Sequence, residues 1–555
     1  MKQNIYSISY FSKVLFAFIP VIYVVISILI NLISGKNFMQ RVDPEYFHLF
    51  NGINIAIGNL AVEYIAHPGT TIQFIYAISA HIANIIIPGG NLVSKVLDNP
   101  EVFIHAANIL MNLLTGISLY FLATSSFRYT KNFYLAIFLQ LLPFADYHMI
   151  LIAARIIPES VMIAPAILLV IMLVKYVNDE ERGFKITHYI LGFAIVGGLG
   201  MAGKLSYLPF LIPPVFILKD WKSRFKYVLY TIIATIVFAF PLIVNIEKSW
   251  QWFSSMLIHS GKWGSGGNTV INVSEFPKNI LKLLNYDISL SYIMLLGFVQ
   301  LVLFHLLKYF RIISYKSIFS SVIASLLVVY ILAILLVAKH FSYHYFTPFL
   351  ILKFIMIYFM IGFIIHTFKG YKVTKYISAA TLILGFILVY LQISPLQNGV
   401  KDRIEKSNIN NERYKQMEAY LNNENTIILS SHFSGSPFIQ SAFVDAFLIN
   451  GFLKSTFREE LIERFPKTYF SFNWTDDFYY WDDFLTPKDF IDPDKSLLIF
   501  IGKGLEGDLD RSLKRIKKYF PDYKQKLEIL VELKSPEEKL YKLSLLKEDI
   551  VSLKE

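Results

Sequence analysis

Apolar runs of roughly 20 residues each recur between Met1 and Pro395, and they constrain the fold of this chain more than any other feature. The first run ends near Ile33, and the later runs are separated mostly by short loops rich in lysine and arginine. A helix of this length, at 1.5 Å per residue, crosses the ~30 Å hydrocarbon core of a bilayer. The chain is therefore expected to fold as a bundle of membrane helices.

The composition excludes several classes of protein. Of the 555 residues, 55% are hydrophobic and 17% are charged, against about 45–50% and about 25% in soluble globular domains. The net charge of +11 arises mostly in loops beside the apolar runs, so it does not indicate a nucleic-acid partner. Because the chain has no cysteine, disulfides, zinc–thiolate sites and thiol nucleophiles are excluded. Any catalytic group in this chain must therefore be a carboxylate or a His, Lys, Arg, Tyr or Ser side chain.

About eleven segments are predicted to span the membrane. They are the run ending at Ile33, Phe103–Ala123, Phe133–Ile150, Pro158–Val174, Tyr189–Gly203, Tyr207–Leu218, Tyr227–Asn245, Ile288–Leu307, Ile318–Ala338, Tyr345–Phe368 and Tyr376–Ile393. The segment Thr71–Pro88 is not counted, because an extra crossing would move every later basic loop to the non-cytoplasmic side. Its polar residues line one helical stripe and its isoleucines cover the rest, which predicts an amphipathic helix on the outer membrane face.

The composition changes near residue 394 and predicts two domains. Residues 1–394 form the membrane domain, whose first outer loop, 34–101, contains the juxtamembrane helix 71–88. Residues 395–555 form a soluble extracytoplasmic α/β domain, and its ~150 residues can bury a core without disulfides. The elements predicted for it are strands at Thr426–Ser431 and Leu497–Gly502, helices at Pro437–Leu448 and Asp508–Phe520, and a hairpin of Lys526–Leu533 with Lys539–Leu546.

The first outer loop carries the sharpest group of ionisable residues, Arg41-Val-Asp43-Pro44-Glu45-Tyr46. Proline lacks an N–H and disfavours helical backbone at the residue before it. Asp43 is therefore expected at a bend or at a helix N-cap, with Glu45 in the first helical turn. A carboxylate at this place can also serve as a general base. Capping and catalysis are compatible.

Two further motifs follow on the same predicted outer side. A glycine-rich span from Gly192 to Gly203 ends in Lys204 and is followed by Pro209. A basic and aromatic turn, Lys339-His340-Phe341-Ser342-Tyr343-His344-Tyr345-Phe346-Thr347-Pro348, comes late in the membrane domain. Both motifs place cationic side chains on that predicted outer side.

In the order of these motifs the chain resembles the GT-C superfamily of membrane glycosyltransferases, which use polyprenyl-phosphate-linked sugars. Protein O-mannosyltransferases and lipid A aminoarabinose transferases are relatives. The resemblance covers Met1 to Pro395 and implies a mainly α polytopic membrane protein, here with a C-terminal extracytoplasmic α/β domain. It also implies inverting transfer of a sugar from a polyprenyl-phosphate donor to an acceptor on the outer face. The chain departs from many relatives by placing Pro44 between its acids, which leaves open whether Asp43 or Glu45 is the base.

The candidate site residues divide by role. The catalytic candidates are Asp43 and Glu45, of which Asp43 is preferred as the base. The candidates for binding the donor phosphate are Arg41, Arg155, Lys204, Lys339 and His340. The candidates for binding substrate are Tyr46, His67, Asp146, Trp263, Tyr343 and His344.

Several of these residues have alternative interpretations. Arg155 and Glu159 stand at an i, i+4 spacing, which equally favours an ordinary ion pair. Trp263 lies in a glycine-rich loop that either closes over the donor as a lid, which we favour, or belongs to an interfacial aromatic belt. Lys353 lies inside an apolar helix, where a snorkelling side chain or a local ion pair is expected.

No cofactor is expected, and no divalent cation is predicted to be essential, because carboxylates scattered over several loops are weak evidence for a metal site. The expected partners are a polyprenyl-phosphate-sugar lipid, a glycan, lipid or protein acceptor, and the membrane, without nucleic acid. The expected location is a cell membrane, as a multi-pass protein of a bacterial inner or plasma membrane. The alternatives are a polymerase or ligase of lipid-linked glycans and a flippase, although a flippase favours midplane polar residues or internal repeats.

Overall fold

The computed structural model describes residues 10–65, 68–179, 186–260, 267–310, 318–367, 371–420, 425–430, 435–448, 454–534 and 537–547. The chain divides into two compact units. The helical unit comprises Met1–Asn31, Ile65–Ile75 and Ala107–Lys401, and the mixed unit comprises Leu32–Tyr64, Tyr76–Ala106 and Asp402–Glu555. Most of residues 34–101, predicted to be the first outer loop, thus group with the C-terminal segment. The sequence-based boundary at residue 394 follows composition along the chain, whereas contacts also gather segments that are distant in sequence.

Helices dominate the first 420 residues. They are α1 (Tyr10–Ile33), α2 (Glu45–Ala56), α3 (Thr70–Ile86), α4 (Leu92–Asp98), α5 (Pro100–Thr130), α6 (Phe133–Gln140), α7 (Tyr147–Ala153), α8 (Pro158–Val161), α9 (Ile163–Asn178), α10 (Ile186–Gly203), α11 (Ile212–Ile217), α12 (Trp221–Phe238), α13 (Pro241–Val244), α14 (Ile246–Ile258), α15 (Glu275–Tyr286), α16 (Ile288–Tyr309), α17 (Ile318–Lys339), α18 (Tyr343–Phe346), α19 (Leu352–Thr367), α20 (Tyr371–Tyr390) and α21 (Ile393–Met417). In the described ranges, eight helical stretches are long and apolar enough to cross a membrane. The fold is that of a mainly helical polytopic membrane protein.

Three of the predicted spans are not single long apolar helices. Prolines stand at the interruptions: Pro143 in the turn between α6 and α7, Pro213 at the start of α11, and Pro241 at the start of α13. Proline has no backbone N–H to donate to a carbonyl of the preceding helical turn, and its ring clashes with that carbonyl. A helix therefore ends before a proline. The three segments are Phe133–Ile150, Tyr207–Leu218 and Tyr227–Asn245.

The glycine-rich span is helix α10, and its glycines allow close packing. A Cβ atom on Gly198 would lie 2.5 Å from the Cβ of Ala234 in α12, and one on Gly200 would collide with the ring of Tyr207. Small residues of this kind let membrane helices approach closely. The packing fixes the end of α10, from which Lys204 follows.

Helix α3 confirms the predicted amphipathic helix. Gln73 is fully buried, whereas Ile85 and Ile86 are 86% and 77% exposed. The outward face of the helix is therefore its apolar face, which is the pattern of a helix lying in a membrane interface. Its position on the outer face stays a prediction.

The C-terminal part of the mixed unit holds one seven-stranded sheet of order β4-β3-β2-β1-β5-β7-β6. Strand β1 pairs in parallel with β2 and β5, and the other pairs are antiparallel. Ile428, Ile499 and Leu543 form its core with Ile516 of the last helix. The elements are β1 (Ile427–Ser430), α22 (Ile439–Leu448), α23 (Lys454–Arg464), β2 (Thr468–Phe470), β3 (Phe478–Tyr480), β4 (Asp483–Leu485), α24 (Pro487–Phe490), β5 (Leu497–Ile501), α25 (Gly507–Tyr519), β6 (Tyr523–Lys534) and β7 (Glu537–Lys547).

Aromatic packing holds α2 within the mixed unit. The ring of Phe50 stacks on that of Phe457, with centroids 4.3 Å apart, and lies 5.8 Å from the ring of Phe443 in α22. Such aromatic pairs contribute about 0.5–1.5 kcal/mol each beyond their buried area. Helix α2 is therefore fixed by residues far along the chain, and so is the turn that precedes it.

Candidate functional site

The turn before α2 presents Asp43 to solvent. Asp43 and Pro44 form this turn, and Pro44 is the N-cap residue of the helix that begins at Glu45. Asp43 is exposed, and its Oδ1 accepts a hydrogen bond from the Tyr64 hydroxyl at 3.3 Å. The predicted bend is confirmed. The alternative of Asp43 as the N-cap is wrong, because Pro44 occupies that position.

Glu45, the second catalytic candidate, is only 1% exposed. It lies in the first turn of α2, as predicted, where the partial positive charge of the helix N-terminus stabilises a carboxylate. A substrate hydroxyl reaches a solvent-facing carboxylate more readily than a buried one. The geometry therefore favours Asp43 over Glu45 as a base.

Tyr64 is held in place by a buried asparagine. Asn51 Oδ1 accepts the backbone N–H groups of Glu63 at 3.0 Å and Tyr64 at 3.3 Å, while its Nδ2 donates to the carbonyl of Phe47. Asn51 thus ties the segment around Tyr64 to α2. Sequence reasoning missed Tyr64 as a site residue, because no motif connects it to Asp43. The available signal was two asparagines, Asn51 and Asn54, in a mainly apolar helix.

His48 lies beside this group and is fully buried, with its ring centroid 4.8 Å from that of Tyr64. Neither ring nitrogen has a hydrogen-bond partner among the residues that the structure describes. Burial lowers the pKa of His48 to about 3. The imidazole is therefore neutral in the folded protein at neutral pH.

This histidine makes the mixed unit sensitive to acid. Because the folded pKa lies below the ordinary value of about 6.5, the unfolded chain takes up the proton first as pH falls. Stability is then lost between about pH 6.5 and the folded pKa of about 3. We expect His48 to lower the free energy of unfolding by about 2 kcal/mol between pH 7 and pH 5.

The variant His48→Leu should remove that part of the pH dependence, because leucine has similar volume and the ring nitrogens lack partners in the described structure. Denaturant unfolding of wild type and variant at both pH values measures it. The exposed His81 provides the matched control as His81→Leu. Equal pH dependence in wild type and His48→Leu would contradict the prediction.

Tyr46 and Arg41 surround the same turn. Tyr46 is fully buried, its hydroxyl donates to Glu101 Oε1 at 3.0 Å, and its ring lies 6.0 Å from that of Phe443. Burial raises the pKa of Tyr46 well above its ordinary value. Arg41 is half-buried and its backbone N–H donates to the carbonyl of Asn37. Tyr46 therefore packs in the core, whereas Arg41 retains partial access to solvent.

In the helical unit, the structure brings together Lys204 and His344 from the second and third motifs. Lys204 and Glu159 form a buried ion pair, 4% and 2% exposed. His344 Nε2 lies 3.9 Å from Glu159 Oε1, and the side chain of His344 is 51% exposed. The Lys204 ammonium lies 4.0 Å from the ring centroid of Tyr345, and the backbone of Lys204 forms a β-bridge with Pro68.

This cluster can attract an anion. Burial lowers the pKa of the Lys204 ammonium, and the Glu159 carboxylate opposes that shift. The half-exposed His344 forms the accessible edge of the pair. Lys204 and Glu159 neutralise each other as an ion pair, so the cluster gains net positive charge when His344 is protonated, and a phosphate at the exposed His344 would then meet that charge. Sequence reasoning identified both cations but did not place Glu159 between them.

Lys339 and His340 bind a helix end. The Lys339 ammonium donates to the carbonyl of Leu257 at 2.7 Å, and His340 Nε2 lies 3.2 Å from the carbonyl oxygen of Met256. Basic side chains satisfy the last carbonyls of a helix in this way and complement its dipole. These two predicted phosphate ligands hold the C-terminal end of α14 in the structure.

Asp146 and Tyr343 belong to an aromatic group in the helical unit. Asp146 caps α7, accepts the backbone N–H of His148 at 2.8 Å, and lies 2.8 Å from its Nδ1. The His148 ring lies 5.2 Å from that of Tyr286, and Tyr286 stacks on Tyr343 with centroids 4.9 Å apart. Flat rings beside a carboxylate suit the faces and hydroxyls of a sugar. Sequence reasoning missed Tyr286.

The remaining predicted residues are placed as follows. His67 and Trp263 lie outside the described residues. Arg155 is half-buried after α7, and its carbonyl accepts a hydrogen bond from Ser160 Oγ at 2.8 Å. The carboxylate of Glu159 is directed to Lys204.

Lys353 forms the local pair that was expected. Its ammonium lies 2.6 Å from Asp287 Oδ2 and donates to the carbonyl of Ala145 at 2.9 Å. Both side chains are buried. This pair is therefore structural, and it provides a reference for the Lys204–Glu159 pair.

In the part of the chain that the structure describes, no group of three or more His, Asp or Glu side chains could hold a metal ion. The expectation that no divalent cation is essential stays a prediction. Measuring transfer with and without EDTA tests it.

The sequence matches no protein-family model and no curated protein sequence. Among solved structures, the fold is similar to that of ArnT from Cupriavidus metallidurans, a structure described as bound to undecaprenyl phosphate. The similarity covers 94% of this chain and 97% of that chain, with 9% identity and a TM-score of 0.43. At this level of similarity, function has to be inferred from this chain's own residues.

Proposed function

We propose that this protein is a membrane glycosyltransferase that moves a sugar from a polyprenyl-phosphate donor to an acceptor hydroxyl outside the cytoplasm. The observation that carries the proposal is the exposed carboxylate of Asp43, held by the Tyr64 hydroxyl at the turn before α2. The order of the three sequence motifs supports the same assignment.

Asp43 would act as the general base. A hydroxyl is a weak nucleophile at neutral pH, and a carboxylate that accepts its proton during attack accelerates such reactions by about 10²–10⁴-fold. The new C–O bond forms as the bond from the anomeric carbon to the phosphate oxygen breaks, and the proton passes to Asp43. Attack opposite to the leaving phosphate inverts the anomeric configuration.

Lys204 and His344 would stabilise the leaving phosphate, with Arg155 and Arg41 as further candidates. The Lys204 cluster is buried and preorganised, so it would add little reorganisation when charge develops. Lys339 and His340 are better assigned to holding α14, since their side chains contact its last carbonyls. The identities of the donor lipid, its sugar and the acceptor have to be measured.

Native mass spectrometry of the detergent-purified protein and Asp43→Asn, with extraction of the lipids that co-purify, tests this function. We expect a polyprenyl phosphate carrying one sugar, enriched in the variant, because the variant binds the donor without consuming it. A diphosphate-linked oligosaccharide on both proteins would instead favour a ligase, polymerase or flippase. Asp43 would then have no catalytic role.

Removing the Tyr64 hydroxyl should slow transfer without abolishing it. In Tyr64→Phe the ring contacts remain and the hydrogen bond to Asp43 Oδ1 is lost, so the carboxylate is less well oriented. We expect kcat to fall by about tenfold with KM unchanged, since a net hydrogen bond to a charged group contributes about 1.5 kcal/mol. Tyr519→Phe, at the end of α25 in the same unit, is the matched control. A kcat equal to that of wild type would show that Tyr64 does not position the base.

A further inference from the structure

One carboxylate, that of Glu101 in the first turn of α5, anchors both sides of the turn that carries Asp43. Its Oε1 accepts hydrogen bonds from the Phe38 N–H at 3.1 Å and from the Tyr46 hydroxyl at 3.0 Å. Its Oε2 accepts a hydrogen bond from Asn37 Nδ2 at 2.7 Å. Asn37 and Phe38 precede the turn and Tyr46 follows it. Glu101 therefore joins the two ends of the segment that contains Asp43.

The three donors to Glu101 are themselves held by burial. Asn37, Phe38 and Tyr46 are 2%, 4% and 0% exposed. The Tyr46 ring also packs against that of Phe443, with centroids 6.0 Å apart. Hydrogen bonds to an ionised acceptor are stronger than those between neutral groups. A carboxylate that accepts three of them therefore holds its donors at a fixed separation.

The backbone carries this constraint from the anchors into the turn. The N–H of Arg41 donates to the carbonyl of Asn37 at 2.6 Å, and the N–H of Tyr46 donates to the carbonyl of Val42 at 3.0 Å. Arg41 and Val42 come directly before Asp43. A displacement of either anchor therefore moves the backbone from which the Asp43 carboxylate projects.

We propose that Glu101 is a positioning residue for the base: it fixes the turn between Phe38 and Tyr46 and thereby orients the carboxylate of Asp43. The role rests on the proposed function, since the orientation of Asp43 matters only if Asp43 is the base. Glu101 acts on the backbone of the turn, whereas the Tyr64 hydroxyl acts on the Asp43 side chain itself. Such accuracy matters because a displacement of about 1 Å can slow a reaction by about 10²-fold.

Hydrogen–deuterium exchange of the full-length protein in nanodiscs, without donor, measures the turn directly. In Glu101→Ala the peptide that contains Arg41 and Tyr46 loses its anchors, and we expect its amides to exchange at least about tenfold faster. Unchanged exchange in strand β5 shows that the mixed unit stays folded. Glu459→Ala, which removes an exposed carboxylate from α23 in the same unit, is the matched control.

Transfer kinetics then measure the effect on the base. Glu101→Ala should lower kcat by about 10–10²-fold. Tyr46→Phe, which removes one of the three donors, should lower kcat less. The double variant should be no slower than Glu101→Ala alone, because both changes break the same hydrogen bond. Additive losses would show that Glu101 does not act through Tyr46.

Chemical rescue separates positioning from a general loss of folded protein. Glu101 lines a cavity of about 390 Å³, so its truncation leaves room for a small carboxylate beside the donors. Formate, but not chloride at the same concentration, should restore both amide protection and kcat in Glu101→Ala. Failure of formate to restore either would show that the side chain supports folding and does not position the base.

The proposal is overturned if Glu101→Ala matches the wild type in the exchange of the turn or in kcat. A wild type without transfer activity would refute the proposed function, and this role with it. A wild type and a Glu101→Ala variant that are equally active would refute the role of Glu101 alone.

Discussion

We expect Asp43→Asn to reduce kcat for sugar transfer by about 10²–10⁴-fold, the usual contribution of a general base. Asparagine is isosteric with aspartate, and its carbonyl oxygen can still accept the hydrogen bond from the Tyr64 hydroxyl. The variant should therefore fold and bind donor like the wild type, and lose only the capacity to take the acceptor proton. Transfer measured in nanodiscs, with the donor identified by mass spectrometry, gives kcat and KM.

Glu45→Gln is the matched control for this variant. Glu45 is buried in the first turn of α2, so neutralising it should change kcat by less than about tenfold and act mainly on stability. A loss of transfer in Glu45→Gln, with full activity in Asp43→Asn, would reverse the assignment of the base. Loss in neither variant would exclude both carboxylates as the base.

The second large effect concerns the buried pair of Lys204 and Glu159. We expect Lys204→Met to lower the free energy of unfolding by about 3–5 kcal/mol, because it leaves a buried carboxylate without its lysine partner. His344, 3.9 Å from Glu159 Oε1, can offset part of this loss when it is protonated. Thermal unfolding of the wild type and the variant measures the effect.

The double variant Lys204→Met/Glu159→Gln separates stability from binding. Replacing both charges removes the unpaired carboxylate, so stability should return close to that of the wild type. Donor binding should stay weaker by at least about tenfold, since a charge-assisted hydrogen bond to phosphate is missing. Native mass spectrometry with the extracted lipid measures this binding.

The pair of Lys353 and Asp287 provides the matched control. It is equally buried, with 2.6 Å between Nζ and Oδ2, and it has no proposed contact with donor. Lys353→Met/Asp287→Asn should therefore bind donor like the wild type. If the Lys204 and Lys353 double variants both retain full donor binding, Lys204 does not hold the phosphate.

Local sequence patterns determined many elements of the fold. Strands β1 and β5, helix α25 and the β6–β7 hairpin lie within a few residues of their predicted positions, because continuous apolar runs and turn residues act over short distances. The same holds for α3, whose stripe of polar residues was visible in the sequence. Helix α21 was missed because its sequence is polar, and a mainly polar helix lacks the apolar periodicity on which prediction depends.

Pairings between distant residues could not be read from the sequence. Arg155 and Glu159 have the spacing of a helical ion pair, yet the carboxylate of Glu159 is directed to Lys204. Lys339 and His340 have the composition of a phosphate site, yet they bind the end of α14. A spacing rule describes neighbours on one helix, whereas these partners are chosen by the packing of several helices.

The sequence by itself determined that this chain forms apolar membrane helices, an amphipathic helix and a C-terminal sheet, because hydrophobic periodicity and length act locally. It also identified the acidic turn and the cationic motifs as candidates. Only the tertiary structure decided that Asp43 is exposed and Glu45 buried, and that Asp43 accepts a hydrogen bond from Tyr64, which lies outside the motif. The physical reason is that burial and hydrogen-bond partners depend on which segments pack together, and that packing joins residues that are far apart in the chain.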